Sequence, residues 1–209
     1  IPANQGWTLN SAGLKETGRS EVVSGNLRTE TLWESIPGGA ESFREETVYE
    51  EFPWGEEKVS RTLDPDSLDG GLATNWTYYE DPVADGVNYR RLKLVEYPDG
   101  GWIRYEYDSS GRVTKEVRPV GNAAPTDPES SCRVLERSFQ AEAPQVTEVE
   151  TALGVETSRV YTVRQQGSTA RIEAVSPGVV WTDSSNILTE TTIVGGAGEF
   201  SARTAAVFR

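Results

Sequence analysis

A period of two runs through this chain and restricts what it can become. From Leu27 to Ile36 the sequence reads LRTETLWESI, with Leu27, Thr29, Thr31 and Trp33 alternating against Arg28, Glu30, Leu32 and Glu34. Side chains of an extended segment point to opposite faces in turn, so this alternation fits a strand and not a helix. GEEKVSRTL, TNWTYYE, YRRLKLVEY, GRVTKEVRP, VTEVETA, VETSRVYTV, TARIEAV and ILTETTIV repeat the pattern and are rich in Val, Thr, Ile, Tyr and Trp. YRRLKLVEY sets Leu92 and Leu94 on one face. No window has the three-and-four apolar spacing of an amphipathic helix strongly enough to compete. GRSEVVSGN has room for a short turn and no more.

Turn signals separate these stretches: PGG at 37–39, PWG at 53–55, DPDSLDGG at 64–71, DPVADG at 81–86, PDGG at 98–101, DSSG at 108–111, then LG, QQG, SPG and GGAG. Short strands between regular turns predict an all-β fold. The expected form is an antiparallel meander of short strands and hairpins, making a curved, twisted sheet or a partial β-shell. The longest unpatterned stretch, VGNAAPTDPES at 120–130, reads as a loop or linker. Strand patterning is alike on both sides of it, so residues 1–209 read as a single β-region.

Composition narrows the partners. The 33 acidic residues outnumber the 20 basic ones, for a formal net charge of −13. Such a surface repels nucleic acid and anionic membranes, and no apolar run is long enough to span a bilayer. Neither nucleic-acid binding nor membrane insertion is expected. One cysteine, Cys132, excludes an internal disulfide and reads as a small hydrophobe in or near a strand. The chain opens on Ile1 and contains no methionine, so it reads as a fragment of something longer. No signal peptide is visible in it.

The turns at 98–101 and 108–111 carry the most local information. In PDG, proline fixes φ at the first central position of a type I turn and glycine takes the left-handed site that follows. In DSSG, Asp108 bonds the turn amides and Gly111 takes the same left-handed site, the three-residue hairpin geometry with a glycine bulge. Between them WIRYEY forms one strand, with Ile103, Tyr105 and Tyr107 on one face and Trp102, Arg104 and Glu106 on the other. Arg112 opens the next strand, placed to pair with Asp108, to lie over a tyrosine ring, or to do both.

These residues carry a resemblance. Tyr107-Asp108-Ser109-Ser110-Gly111-Arg112 resembles the Tyr-Asp-x-x-Gly-Arg hallmark of the RHS/YD-repeat family, with the lead-in Tyr97-Pro98-Asp99-Gly100. Residues 97–119 look like one complete unit. TNWTYYEDPVADGVNYRRLKLVEYPDG resembles the unit before it, and SCRVLERSF, GVETSRVYTV and GEFSARTAAVFR look like degenerate units. The resemblance implies a non-catalytic structural repeat segment of a large exported, bacterial RHS-like protein, secreted or at the cell surface. Such repeats wind into a β-sheet wall used for encapsulation, as a surface scaffold or in adhesion. The implied partners are neighbouring repeats of the parent chain or another copy.

Candidate chemistry is sparse. The chain has no histidine, which excludes a Ser-His-Asp triad and the common zinc sites. No phosphate-binding glycine motif is present. DPDSLDG, with Asp64, Asp66 and Asp69, resembles a calcium loop, but Leu68 stands where the third ligand belongs, so a solvated turn is expected. Glu45-Glu46, Glu50-Glu51 and Glu56-Glu57 are adjacent on strands and point to opposite faces, so they read as solubilising charge; the remote third reading, a carbohydrate-active enzyme, needs two carboxyls facing across a cleft. Asn75-Trp76-Thr77 is a glycosylation sequon, set aside in a chain read as bacterial. No cofactor, metal or catalytic residue is expected. Trp33, Trp54, Trp76, Tyr78, Tyr79, Trp102, Tyr105 and Tyr107 form core pairs or a sugar-stacking platform. For the second reading, a carbohydrate-binding module, the residues are Trp76, Tyr78, Trp102 and Tyr105, and the partner is a glycan.

Overall fold

In a computed structural model of the chain, the backbone is described for residues 5–9, 16–36, 41–67, 70–141, 145–165, 168–173, 179–181, 191–195 and 198–202. Side chains are described for residues 16–36, 41–67, 70–141 and 145–162. The protein is all-β, and its hairpins follow one another along the chain. Its described helical turns are two three-residue 3-10 turns, Gly86–Asn88 and Glu129–Ser131. Among the described residues no helix is long and apolar enough to cross a membrane.

Packing divides the chain into two units, residues 1–102 and 103–209. The first holds β1 (Gln5–Leu9), β2 (Glu16–Ser24), β3 (Leu27–Ser35), β4 (Glu41–Phe52), β5 (Gly55–Leu63), β6 (Leu72–Tyr78) and β7 (Leu92–Glu96). Each pairs antiparallel with the next, so hydrogen-bonded order equals chain order. The second holds β8 (Trp102–Tyr107), whose first residue belongs to the first unit, then β9 (Val113–Pro119), β10 (Cys132–Phe139), β11 (Val146–Ala152), β12 (Val155–Gln165) and β13 (Ser168–Glu173). These also pair in chain order. A separate three-stranded sheet follows, β14 (Val179–Trp181), β15 (Thr191–Gly195) and β16 (Gly198–Ala202).

The stretch 120–130 is therefore the connection between two paired strands, β9 and β10, and the unit boundary falls elsewhere, inside β8. The predicted strand over 89–97 begins late. Residues 86–91 are a 3-10 turn and its exit, with Arg90 at φ 68°, and β7 starts at Leu92. A bulge between Thr77 and Tyr78 then sets Leu92 beside Tyr78 and Leu94 beside Thr77.

Among the described residues the buried apolar side chains are few. Phe52, Tyr79, Val95 and Trp102 lie in the first unit; Val117, Cys132, Val134, Val160 and Tyr161 lie in the second. Most other strand residues are half-buried, covered by neighbours on adjacent strands. Cross-strand pairs supply much of the packing in such a sheet. Gly18 and Trp33 are one such pair, and the indole lies on the glycine so closely that a Cβ there would sit 2.2 Å from Trp33 Cε2.

Charge pairing adds the rest. Arg28 on β3 bonds Glu30 on its own strand and Glu56 on β5, at 2.5 and 2.8 Å for Glu56, and lies 4.1 Å from the Tyr49 ring on the strand between. Arg19 reaches the same Glu30 at 2.5 Å. Arg61 clasps Glu45 with two bonds of 2.8 Å. In the second unit Arg137 on β10 joins Glu116 on β9 at 2.5 Å and Glu148 on β11 at 3.0 Å.

Candidate functional site

The corner at 108–112 is built as its residues dictate. Gly111 N–H donates to Asp108 O at 3.0 Å, closing the turn, and Asp108 N–H donates to Arg112 O at 3.0 Å, closing the bulge. Gly111 sits at φ 87°, where a Cβ is disfavoured. Asp108 Oδ1 accepts from the backbone N–H groups of Ser110 (2.8 Å) and Arg112 (3.0 Å). Its Oδ2 accepts from Arg112 Nε and Nη2, both at 2.7 Å. The Arg112 side chain, helped by these two backbone donors, holds the Asp108 carboxyl below the usual carboxylate range. A carboxylate so engaged is a poor proton acceptor at neutral pH, and its role in the corner is that of a brace.

Arg112 does pair with Asp108, and it also lies over an aromatic ring. That ring is Phe139 at the end of β10, 4.1 Å from the guanidinium carbon. The sequence points to a tyrosine because Tyr107 is adjacent in the chain. The partner comes instead from a strand two places along.

The corner at 97–101 has the same build. Gly100 N–H donates to Tyr97 O at 3.0 Å, Tyr97 N–H donates to Gly101 O at 2.8 Å, and Gly100 sits at φ 81°. Asp99 Oδ1 accepts from Gly101 N–H at 2.9 Å. Pro98 fixes the entry, and Tyr97 is exposed. Two corners of one geometry thus bracket β8.

The four residues of the glycan reading are not alike. Trp102 is 3% exposed and presents no stacking face. Trp76 is half-buried with Lys58 Nζ 4.2 Å above its ring. Tyr78 is half-buried, donates its hydroxyl to Lys58 O at 3.0 Å, and tilts against Phe52 at 5.6 Å. Tyr105 is half-buried on β8 and belongs to the second unit. Tyr78 borders an aromatic cluster that alternation alone does not reveal. In it Trp54 stacks on Phe52 at 4.7 Å and meets Tyr89 edge-on at 5.4 Å.

Two of the hollows among the described residues are lined by charged side chains. One, about 190 Å³, is lined by Glu116, Arg118, Arg133, Leu135 and Glu150. Arg118 and Arg133 are direct cross-strand partners, a repulsive placement relieved by Glu116 (3.1 Å from Arg118) and Glu150 (2.5 Å from Arg133). Burial pushes the Glu116 carboxyl up, and its bonds to Arg137 and Arg118 reverse this and leave it below the usual range. The other hollow, about 410 Å³, contains Asp64 and Asp66 of the calcium-like loop. There Asp66 takes a cation from the chain itself, Arg44 at 2.7 Å; Leu68 and Asp69 lie outside the described residues. Among the described residues no three His, Cys, Asp or Glu side chains are grouped to hold a metal ion.

The sequence reading missed the cross-strand arginines. Their signal was present: Arg133 and Arg137 alternate on β10 against Glu148 and Glu150 on β11. Reading it requires the register, which the turns alone do not set. No family model matches the chain, and no curated protein matches it.

Proposed function

We propose that this chain is a non-catalytic scaffold segment, a length of β-sheet wall of the RHS/YD-repeat kind from a large exported or surface protein. The observation that carries this reading is the corner at 108–112. Its Tyr-Asp-x-x-Gly-Arg residues spend their hydrogen-bonding capacity on turning the chain and bracing the next strand. A second corner of the same build six residues upstream of Tyr107 supports it. On this reading the partners are neighbouring repeats of the parent chain or another copy, and the wall serves encapsulation, display or adhesion.

Gly111→Ala tests it. The substitution is expected to lower stability in urea unfolding by about 1 kcal/mol or more, because a Cβ is strained at positive φ. An unchanged unfolding midpoint with loss of a measured activity would overturn the scaffold reading. So would a glycan bound in an array screen at millimolar concentration and lost in Trp76→Ala.

A further inference from the structure

One face of the second unit carries an apolar strip under a covered connection. The register aligns Arg104 on β8 with Val117 on β9, and Val117 with Val134 on β10. Cys132 lies next to this row, paired with Pro119. Val117 is 1% exposed and Cys132 is fully buried. The chain leaves the sheet at Pro119 and returns at its direct partner Cys132, so residues 120–131 are the connection from β9 to β10, and they reach back to Arg104 and Lys115 as a strap.

The strap is held by charge. Arg104 Nη1 donates to Pro125 O at 2.6 Å, and Arg104 Nη2 meets Glu129 Oε1 at 3.4 Å. Lys115 Nζ lies 3.2 Å from Glu129 Oε2, with Glu136 at 3.4 Å and Glu106 at 3.9 Å around the same ammonium. The strap keeps its own shape: Ala124 N–H donates to Asp127 Oδ2 at 2.9 Å, and Ser131 N–H donates to Pro128 O at 2.8 Å. Its one large aliphatic side chain, Val120, is exposed. A segment with a stiff interior, little apolar anchorage and a few charged contacts to the sheet opens well below the free energy of global unfolding.

We propose that residues 120–131 are an electrostatically latched strap that lifts as a unit from the β8–β10 face, uncovering the Val117–Val134 strip and the Cys132 thiol while the sheet stays paired. Arg104 and Lys115 are the fixed half of the latch and Glu129 is the moving half. Salt loosens the latch, because the attraction is between partly exposed charges.

Cys132 is the chain's only cysteine and reports opening directly. The experiment follows its reaction with an aromatic disulfide reagent across urea and salt series, alongside far-ultraviolet circular dichroism. Expected are labelling in native buffer with a weak urea dependence, acceleration by salt, and a roughly threefold to tenfold faster rate in Glu129→Gln. The dichroism midpoint should move little in that variant, and its salt acceleration should shrink. Labelling that begins only with the dichroism transition, or that rises in Glu129→Gln only as far as global stability falls, would overturn the strap.

Discussion

The β2–β3 and β11–β12 hairpins have the same loop length and reach it by opposite means. In β2–β3 the turn is Gly25-Asn26, with Gly25 at φ 64°, the two-residue turn that asks for glycine first. The register then runs unbroken from Ser24↔Leu27 to Glu16↔Ser35. In β11–β12 the turn is Leu153-Gly154, at φ 52° and 77°, the turn that asks for Asn or Gly first and here has leucine. That leucine is exposed, so no burial compensates its strain, and the register slips between Glu150 and Thr151. The first hairpin fits its turn and is tuned along its length by one close contact, Trp33 on Gly18. The second carries its misfit at the tip and absorbs it in a bulge.

The largest expected effect removes the advantage of the first hairpin. Gly18→Ala places a Cβ inside the Trp33 ring and should cost about 3 kcal/mol, read as a drop in the urea midpoint. A cost below that of Gly111→Ala would mean the indole swings away freely, and the contrast between the hairpins would lose its main support. Next, Leu153→Asn should stabilise the second hairpin by about 1 kcal/mol, since asparagine tolerates the left-handed region that leucine resists. An unchanged or lower thermal midpoint would show that Leu153 is held by something other than its turn.

The smallest effect concerns charge. Burial raises the Glu30 carboxyl, and Arg28 and Arg19 outweigh this and leave it below its ordinary value. Its stabilisation is therefore complete above the ordinary carboxylate range and is lost as pH falls through the lowered folded-state value. Glu30→Gln should cost about 0.5 kcal/mol at pH 7 and flatten the acid limb of the thermal midpoint. An acid limb identical to that of the parent chain would place its origin in other carboxylates, such as Glu45, held down by Arg61, or Glu116. Between pH 5.5 and 8 the midpoint should stay level, since the chain has no histidine to titrate there.

Local chemistry was the legible part of this molecule. β5 occupies the same residues as the stretch GEEKVSRTL, and both glycine corners have the geometry their residues demand, because proline, aspartate and glycine act within four or five positions. The Leu153 turn was legible as a turn from LG, but not as a strained one. The features that depend on register were not legible: Phe139 under Arg112, Trp33 over Gly18, and Glu56 reached from Arg28 across an intervening strand. Nor was the return of residues 120–131 onto Arg104 and Lys115, whose carbonyl and carboxylate partners carry no mark in a one-dimensional pattern. Of the candidate site, the corner residues were readable as a set. The glycan residues were not, because composition alone does not separate a buried Trp102 from a half-buried Trp76.

The chain-order pairing has a mechanical side. Within each unit every described strand of the long sheet is bonded to the strands before and after it in sequence. Contacts close over short separations, so each unit can assemble by adding one hairpin to the last, without a long search for distant partners. The same connectivity governs failure under load. A force applied along the chain at the outer strand of either unit meets the interstrand bonds a rung at a time and peels that strand before the next one bears tension. Extension would then come in strand-sized steps at modest force, and a sheet of such hairpins would yield from its margin inward while its interior stayed intact.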